Sequence, residues 1–394
     1  SYDGYYGIQN ASNYTELMGP REYINYYQEA YAWQRVNNSR TDAITEITDP
    51  AAIDNSFSAF PYVIDENGEI YKLGWRGVTD PRTEANATSR TAMGKGTNWM
   101  EELISPAPIT EHNLSVSGGS ETSSYYLSGG YFNQKGIIGG DQSNYDRYNF
   151  RFNGTLNPKN WISFYANIGY THKQRTWIGE NDWFGGDVTS AIRLDPLTPV
   201  YADSLGVFAS LSADEQKYLV TDDDGKYYAI SELVAGENAN PLASIKARRH
   251  DKWKEDKLVG GTGFDLTPIK DLKIHVGIDM DLAQALQSNW DGNYYLSNDL
   301  KRIPGSNDRL DDGGDPLDEV LDSLTNGINL TYQTYKWITL QNENYVTYSK
   351  QLGKHDISLM GGMSIYQYTN LHYAVTKPGL YSSEPKWLVF DDYP

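Results

Sequence analysis

The chain has no cysteine among its 394 residues. That excludes a disulfide-stapled scaffold, a thiolate metal site and a cysteine nucleophile, and leaves the compartment open. It also has no run of about 18 apolar residues, so no membrane-spanning helix is encoded. The longest purely apolar stretches are short, such as Trp387-Leu388-Val389-Phe390. A membrane β-barrel survives that test, because its strands alternate and keep mean hydropathy low. Positive charge is scarce: 33 Lys and Arg stand against 52 Asp and Glu, for a net charge of −19. A nucleic-acid binder needs a basic face, and so does a polybasic membrane-surface protein, so both classes fall away.

The motifs of common chemistry are missing too. The histidines, His112, His172, His250, His275, His355 and His372, form no His-Glu-x-x-His pair or other metal spacing. Neither Gly-x-Ser-x-Gly nor a P-loop occurs, and Gly261-Thr262-Gly263 lacks the third glycine of a dinucleotide fingerprint. Carboxylates are abundant, but spacing alone singles out no facing pair for glycosidase-type chemistry. No catalytic residue is assigned, and the chain is read as a non-enzyme. It opens Ser-Tyr-Asp, with no Met and no signal peptide, so a processed chain or a piece of something longer is expected.

What is present is a period of two. Tyr148, Phe150 and Phe152 alternate with Asn149, Arg151 and Asn153. Ile162, Phe164, Ala166, Ile168 and Tyr170 alternate with Ser163, Tyr165, Asn167, Gly169 and Thr171. Leu272, Ile274, Val276, Ile278, Met280 and Leu282 alternate with Lys273, His275, Gly277, Asp279 and Asp281. Successive side chains of a strand point to opposite faces, so each segment has one apolar and one polar face. The segments run about ten residues or more, the length of a tilted membrane-spanning strand.

Nine segments qualify: 2–8, 109–117, 124–134, 146–156, 161–173, 256–266, 272–284, 335–350 and 357–368. Short links rich in Gly, Asn, Asp and Pro (118–123, 157–160, 267–271 and 353–356) alternate with long ones near 9–108, 135–145, 174–255 and 285–334. Short turns on one side and long loops on the other form the pattern of an outer-membrane barrel. The expected fold is therefore all-β, a transmembrane antiparallel β-barrel with long extracellular loops. Nine strands leave two unpaired edges, which lipid does not tolerate, so the segment is expected to be part of a larger barrel. Tyr125, Tyr126, Tyr131, Phe132, Tyr145, Tyr148, Trp161, Tyr170 and Trp177 cluster near strand ends, where half-wet rings suit membrane interfaces.

Asn149, Arg151, Asn153, Asn167, His275 and Asp279 should face away from lipid, into a wet lumen that passes a solute or packs on a polar plug. In the third long loop, Trp177, Trp183 and Phe184 flank Gly185-Gly186 and are candidates for stacking on a solute or a lid. A helix is expected over 21–36, with Tyr23, Tyr26, Tyr27, Ala30 and Trp33 on one face, and a shorter one over 98–104 before Pro106. Two acidic clusters stand out: Asp222-Asp223-Asp224-Gly225, and Asp308, Asp311, Asp312, Asp315, Asp318 and Glu319. Neither fits the EF-hand spacing. Solvated acidic loops are expected and no cofactor, with Ca²⁺ in these loops as the alternative.

One stretch carries a resemblance. Trp99-Met100-Glu101-Glu102-Leu103 precedes His112-Asn113-Leu114-Ser115-Val116-Ser117-Gly118-Gly119-Ser120. Then follow Tyr125-Tyr126-Leu127-Ser128-Gly129-Gly130-Tyr131, Gln134-Lys135-Gly136 and Tyr145-Asp146-Arg147-Tyr148-Asn149-Phe150-Arg151-Phe152-Asn153. This run resembles the SusC/RagA family of TonB-linked outer-membrane transporters of Bacteroidetes. Further matches in the family's order are Asp195-Pro196-Leu197-Thr198-Pro199-Val200-Tyr201, Asp224-Gly225, Asn240-Pro241 and Pro268-Ile269-Lys270-Asp271-Leu272-Lys273. Within the motif, Gly118-Gly119 is expected to make a tight turn. Gly129-Gly130 is expected to clear space where strands curve or another backbone approaches.

The resemblance implies a barrel of 22 strands around an N-terminal plug, with nutrient import of oligosaccharides or peptides powered through TonB. It implies a SusD-like surface lipoprotein as lid, the cell outer membrane as location, and plug and energy-coupling segments outside these residues. Two other readings stand beside it. A passive porin needs no plug and no TonB. A soluble all-β carbohydrate-binding module would extract without detergent.

Overall fold

The computed structural model describes residues 1–38, 60–74, 87–179, 186–202, 216, 219–231, 233–234, 239–247, 251–291 and 329–377. The first third holds β1 (Tyr2–Gln9), α1 (Pro20–Asn38), β2 (Tyr62–Ile64), β3 (Ile70–Gly74), β4 (Ser89–Gly94) and α2 (Trp99–Leu103). Then come β5 (Ala107–Gly119), β6 (Ser123–Gly136), β7 (Gly140–Lys159) and β8 (Ile162–Thr176). Two short helices follow, α3 (Asp187–Arg193) and α4 (Pro241–Ala247). The chain continues through β9 (Lys252–Ile269), β10 (Leu272–Asp291), β11 (Asn329–Leu352) and β12 (His355–Lys377). Each of the nine segments expected from alternation falls on one strand of a nine-stranded antiparallel sheet, ordered β1-β5-β6-β7-β8-β9-β10-β11-β12. No described helix is long and apolar enough to cross a membrane.

Register converts the alternation of single strands into two continuous faces. One row reads Val116, Leu127, Phe152, Ile168, Gly260, Met280 and Leu340 across β5 to β11. The next row over reads Ser117, Tyr126, Asn153, Asn167, Gly261, Asp279 and Gln341. Opposed residues in an antiparallel pair share a face, so these rows lie on opposite sides of one sheet. The apolar side is left open: Leu114, Val116, Phe150, Ile278, Leu359 and Ile365 are all exposed. A continuous apolar sheet face of this extent is at home against hydrocarbon, not water. The sheet is a section of transmembrane antiparallel barrel wall.

Links sort by end. Residues 120–122, 160–161, 270–271 and 353–354 close turns at one end, and 10–106, 137–139, 177–251 and 292–328 join strands at the other. We call these the turn end and the loop end. The sharpest turns use the left-handed region, at Asp271 (φ 74°) and Gly353 (φ 62°). The link expected over 135–145 is only 137–139. Polar side chains there bridge strands instead of leaving them: Asn133 Nδ2 donates to Asn144 Oδ1 at 2.9 Å and to Asp146 Oδ1 at 2.8 Å.

The glycine pair expected to form a turn does something else. Gly118 and Gly119 end β5, and the turn is 120–122. A Cβ on Gly118 would lie 2.6 Å from the Tyr125 hydroxyl, so the glycine makes room for a ring lying across it. Gly130 likewise clears space for side chains rather than backbone: a Cβ there would meet Asn113 Oδ1 at 2.5 Å and Asn149 Oδ1 at 2.7 Å.

The first long link carries a small sheet, β2-β3-β4, that alternation did not reveal because its strands are short. Helix α1 packs on it, with a different face from the expected aromatic stripe. Ile24 is 2% exposed while Tyr26 is 54% exposed. Tyr23 and Tyr27 flank Ile24 and reach Phe60, with ring centroids 6.4 Å and 5.2 Å away. The isoleucine, lying between the tyrosines, sets the buried face. The side chain of Trp33 lies outside the described residues.

Candidate functional site

The polar face holds every residue of the expected lumen set. Asn153, Asn167 and Asp279 share one row, Asn149 and Arg151 precede Asn153 at intervals of two, and His275 keeps the parity of Asp279. Small residues let these groups reach across strands. A Cβ on Gly261 would sit 1.8 Å from Asp279 Oδ1, so the carboxylate lies over that glycine. Asn167 Oδ1 accepts from the Gly261 N–H at 2.9 Å. Near the turn end, Tyr165, His275 and Tyr345 stack, with centroids 5.8 Å and 4.5 Å apart, and a Cβ on Gly263 or Gly277 would press on Tyr165.

Charge on this face is largely paired. Lys257 meets Asp281 at 2.9 Å, Lys273 meets Asp265 at 3.0 Å, and His275 Nδ1 lies 2.7 Å from Asp265. Arg147 approaches Glu111 at 3.8 Å. Ion pairs that remain partly hydrated are worth little for stability. They mark a face that keeps its contact with water.

Toward the loop end, β7, β8 and β9 form a half-open cleft of about 260 Å³, lined by Tyr145, Lys173, Arg175, Trp253 and Glu255. Register sets Tyr145 opposite Arg175 and Arg175 opposite Trp253, with Lys173 opposite Glu255 in the adjoining row. Lys173 Nζ lies 2.8 Å from Glu255 Oε1, and Trp253 Nε1 donates to Glu255 Oε2 at 3.2 Å. Alternation carried three residues upstream of 256 would have placed Trp253 and Glu255 on the polar face, since both keep the parity of Lys257. The stop at 256 hid them.

Beyond the strands, two long links share one core. Trp99, Met100 and Leu103 of α2 pack with Ile178, Ala191, Leu194 and Ile245, and Ile138 of the 137–139 link joins them. Trp99 Nε1 donates to the Asp195 carbonyl at 2.8 Å, and Thr97 Oγ1 to the Thr198 carbonyl at 2.7 Å. Asp195 is fully buried. Its carboxylate accepts from Leu197 N, Thr198 N, Thr198 Oγ1 and Ser231 Oγ. Asn240 caps α4 and donates to the carbonyls of Val200 and Ala229. The Asp195–Tyr201 and Asn240-Pro241 motifs are thus the fastenings of a single knot. At its edge, burial pushes the Tyr228 hydroxyl well above the usual phenol range, and Tyr201 stacks on it at 5.1 Å.

The other expected sites are scattered. Trp177 is half-buried beside the cleft, with the Arg175 guanidinium 5.3 Å from its ring centroid. Trp183, Phe184 and the acidic cluster over 308–319 lie outside the described residues. In the other cluster, Asp222 Oδ1 accepts from Asp224 N and Lys226 N to form a tight turn, and Asp223 pairs with Lys246 at 2.5 Å. Among the described residues no group of three or more metal-ligating side chains converges.

Comparison with known proteins bears on what such a wall is for. No family model matches the chain. A curated relative, TonB-dependent receptor P26 of Formosa agariphila, is 26% identical over 270 residues, which is 68% of this chain and 22% of that protein. TonB-dependent receptor SusC of Bacteroides thetaiotaomicron is 24% identical over 279 residues, 68% of this chain and 23% of that protein. This chain is thus similar in sequence to TonB-dependent receptors, SusC among them. The fold agrees. A solved structure of the RagAB peptide importer in its open-open state superposes over 100% of this chain and 37% of its own, with a TM-score of 0.58 at 15% identity. The RagAB peptide transporter matches 97% of this chain and 36% of its own, with a TM-score of 0.57 at 16% identity. The chain spans less than a quarter of the length of these curated relatives.

Proposed function

We propose that this chain is a barrel section of a TonB-dependent nutrient importer of the outer membrane. The observation that carries the reading is the two-faced sheet, on a chain whose sequence is similar to TonB-dependent receptors. The apolar side meets outer-membrane lipid. The polar side, with Asn149, Arg151, Asn153, Asn167, His275 and Asp279, lines the conduit. The loop-end knot and the links over 9–108 and 174–255 supply contacts to solute and to a SusD-like surface lipoprotein acting as lid. The solute is an oligosaccharide or a peptide; peptide is what the structural neighbour RagAB imports. Energy arrives from the TonB complex through parts of the parent protein outside these residues. The work is transport rather than bond chemistry, and the reading needs no cofactor and no nucleic acid.

A hydrated polar wall fits a passive porin equally well, so the experiment must separate driven from passive entry. Cells carrying the full-length receptor are given labelled oligosaccharide and peptide pools, with and without a functional TonB. Uptake that depends on the receptor and falls to background without TonB is the expected result. Receptor-dependent entry that persists unchanged without TonB would replace this reading with the porin.

A further inference from the structure

The cleft between β7, β8 and β9 has features that the barrel wall does not need. Its acid is already committed: the Glu255 side chain is 13% exposed and holds both Lys173 and the Trp253 indole N–H. Its second cation is not. Arg175 has no ion pair among the described residues, and its guanidinium rests over Trp177. A net positive cleft is unexpected on a chain with a net charge of −19.

One wall of the cleft is aromatic and extends beyond it. The Trp253 and Tyr335 centroids are 5.4 Å apart, Tyr335 and His372 stack at 4.4 Å and 8°, and Tyr335 and Trp337 lie 5.6 Å apart at 4°. These residues come from β9, β11 and β12. The strand between, β10, presents Ala285 opposite both Glu255 and Tyr335, and Ala285 is 0% exposed. A small residue on the middle strand lets rings from its two neighbours close over it. The result is a row of rings leading into a pocket that holds an uncommitted guanidinium.

From this geometry we infer that the cleft is a docking site for a carboxylate-bearing solute with a flat apolar face. Arg175 receives the carboxylate, in the two-pronged manner that a planar guanidinium allows. Trp253 and Tyr145 cover the apolar face of the adjoining ring or side chain. Lys173, held by Glu255, adds positive field without leaving its partner. Two sources carry this chemistry, an acidic sugar unit and the carboxylate of a peptide. The inference rests on the importer reading, because it places the cleft inside the conduit mouth.

The test uses the full-length receptor in detergent, titrated calorimetrically with trigalacturonate and its methyl ester, and with a short acidic peptide and its fully amidated form. At least one free acid should bind about tenfold or more tightly than its neutral partner, and the preference should shrink as salt rises. The pair that shows it identifies the source. Arg175→Gln should erase the preference while leaving the neutral form's binding unchanged. Arg175→Lys should restore part of it, and Trp253→Ala should weaken acid and neutral forms together. Equal binding of acid and neutral forms, no binding of either acid, or a preference that survives Arg175→Gln would overturn the assignment. Uptake by cells is scored separately. Carboxylate preference without TonB-driven uptake would leave the cleft and remove the importer, and driven uptake of neutral solutes alone would do the reverse.

Discussion

Replacing Ile168 with arginine should destabilise the barrel wall by about 2–4 kcal/mol, the cost of a cation at the lipid midplane. Ile168 sits in the apolar row between Phe152 and Gly260, and its side chain is on the open face, 39% exposed. Arginine there must leave hydrocarbon by bending along the wall or by thinning the bilayer. The same charge at Asn153, one row over on the polar face, should cost under about 1 kcal/mol because water already reaches that row. Folding into bilayers of the full-length receptor, followed by the shift in gel mobility between folded and heated forms, measures both. A similar loss at the two positions would mean that the faces do not differ in solvent.

Trp99→Ala should open the loop-end knot while leaving the sheet intact. Trp99 is buried against α3, α4 and Ile178, and its indole N–H holds the Asp195 carbonyl. Removing a buried tryptophan costs about 3–5 kcal/mol. That energy falls on contacts between links, not on strand pairing, so the opened links should gain roughly two to four orders of magnitude in population. Limited proteolysis of the folded receptor should then cut within 177–251 far faster, while barrel migration on gels stays unchanged. Tyr14→Ala, at an exposed position of the first link, should stay within about 0.5 kcal/mol. If Trp99→Ala abolishes barrel folding altogether, the knot is part of the folding unit of the wall rather than a structure fastened onto it.

The strands were legible in the sequence because their cause is local. A sheet with lipid on one side and water on the other writes its period into every segment, and Phe150 beside Arg151 is enough to assign both faces. The polar set was legible for the same reason, and register has brought its members to one face. What stayed hidden depends on contacts distant in sequence. Asp195 opens a motif in the sequence, but its role as a buried acceptor emerges only when Ser231 and Thr198 are seen donating to it. Ala285 reads as an unremarked alanine until the rings on either side meet over it. Glycines were misread in a related way. At Gly118 and Gly130 no turn requires the glycine; the space is taken by a tyrosine ring or asparagine amides from neighbouring strands. The polar strand end near Asn144 reads as a loop because its composition is that of a loop, yet Asn144 pairs side chain to side chain with Asn133 on the neighbouring strand.

Spin labels at residues 167 and 168 test the central claim, that adjacent rows of this sheet face different solvents. These residues hold no cysteine, so with any cysteine elsewhere in the full-length receptor replaced, Asn167→Cys and Ile168→Cys can each be labelled singly and the protein reconstituted in bilayers. Collision with oxygen, which concentrates in lipid, and with a water-soluble nickel chelate is then measured at each site. A barrel wall predicts that the label at 168 is relaxed by oxygen and shielded from nickel, and that the label at 167 shows the reverse. Equal access of nickel to both labels would contradict it, because a sheet with water on both sides is not a membrane wall.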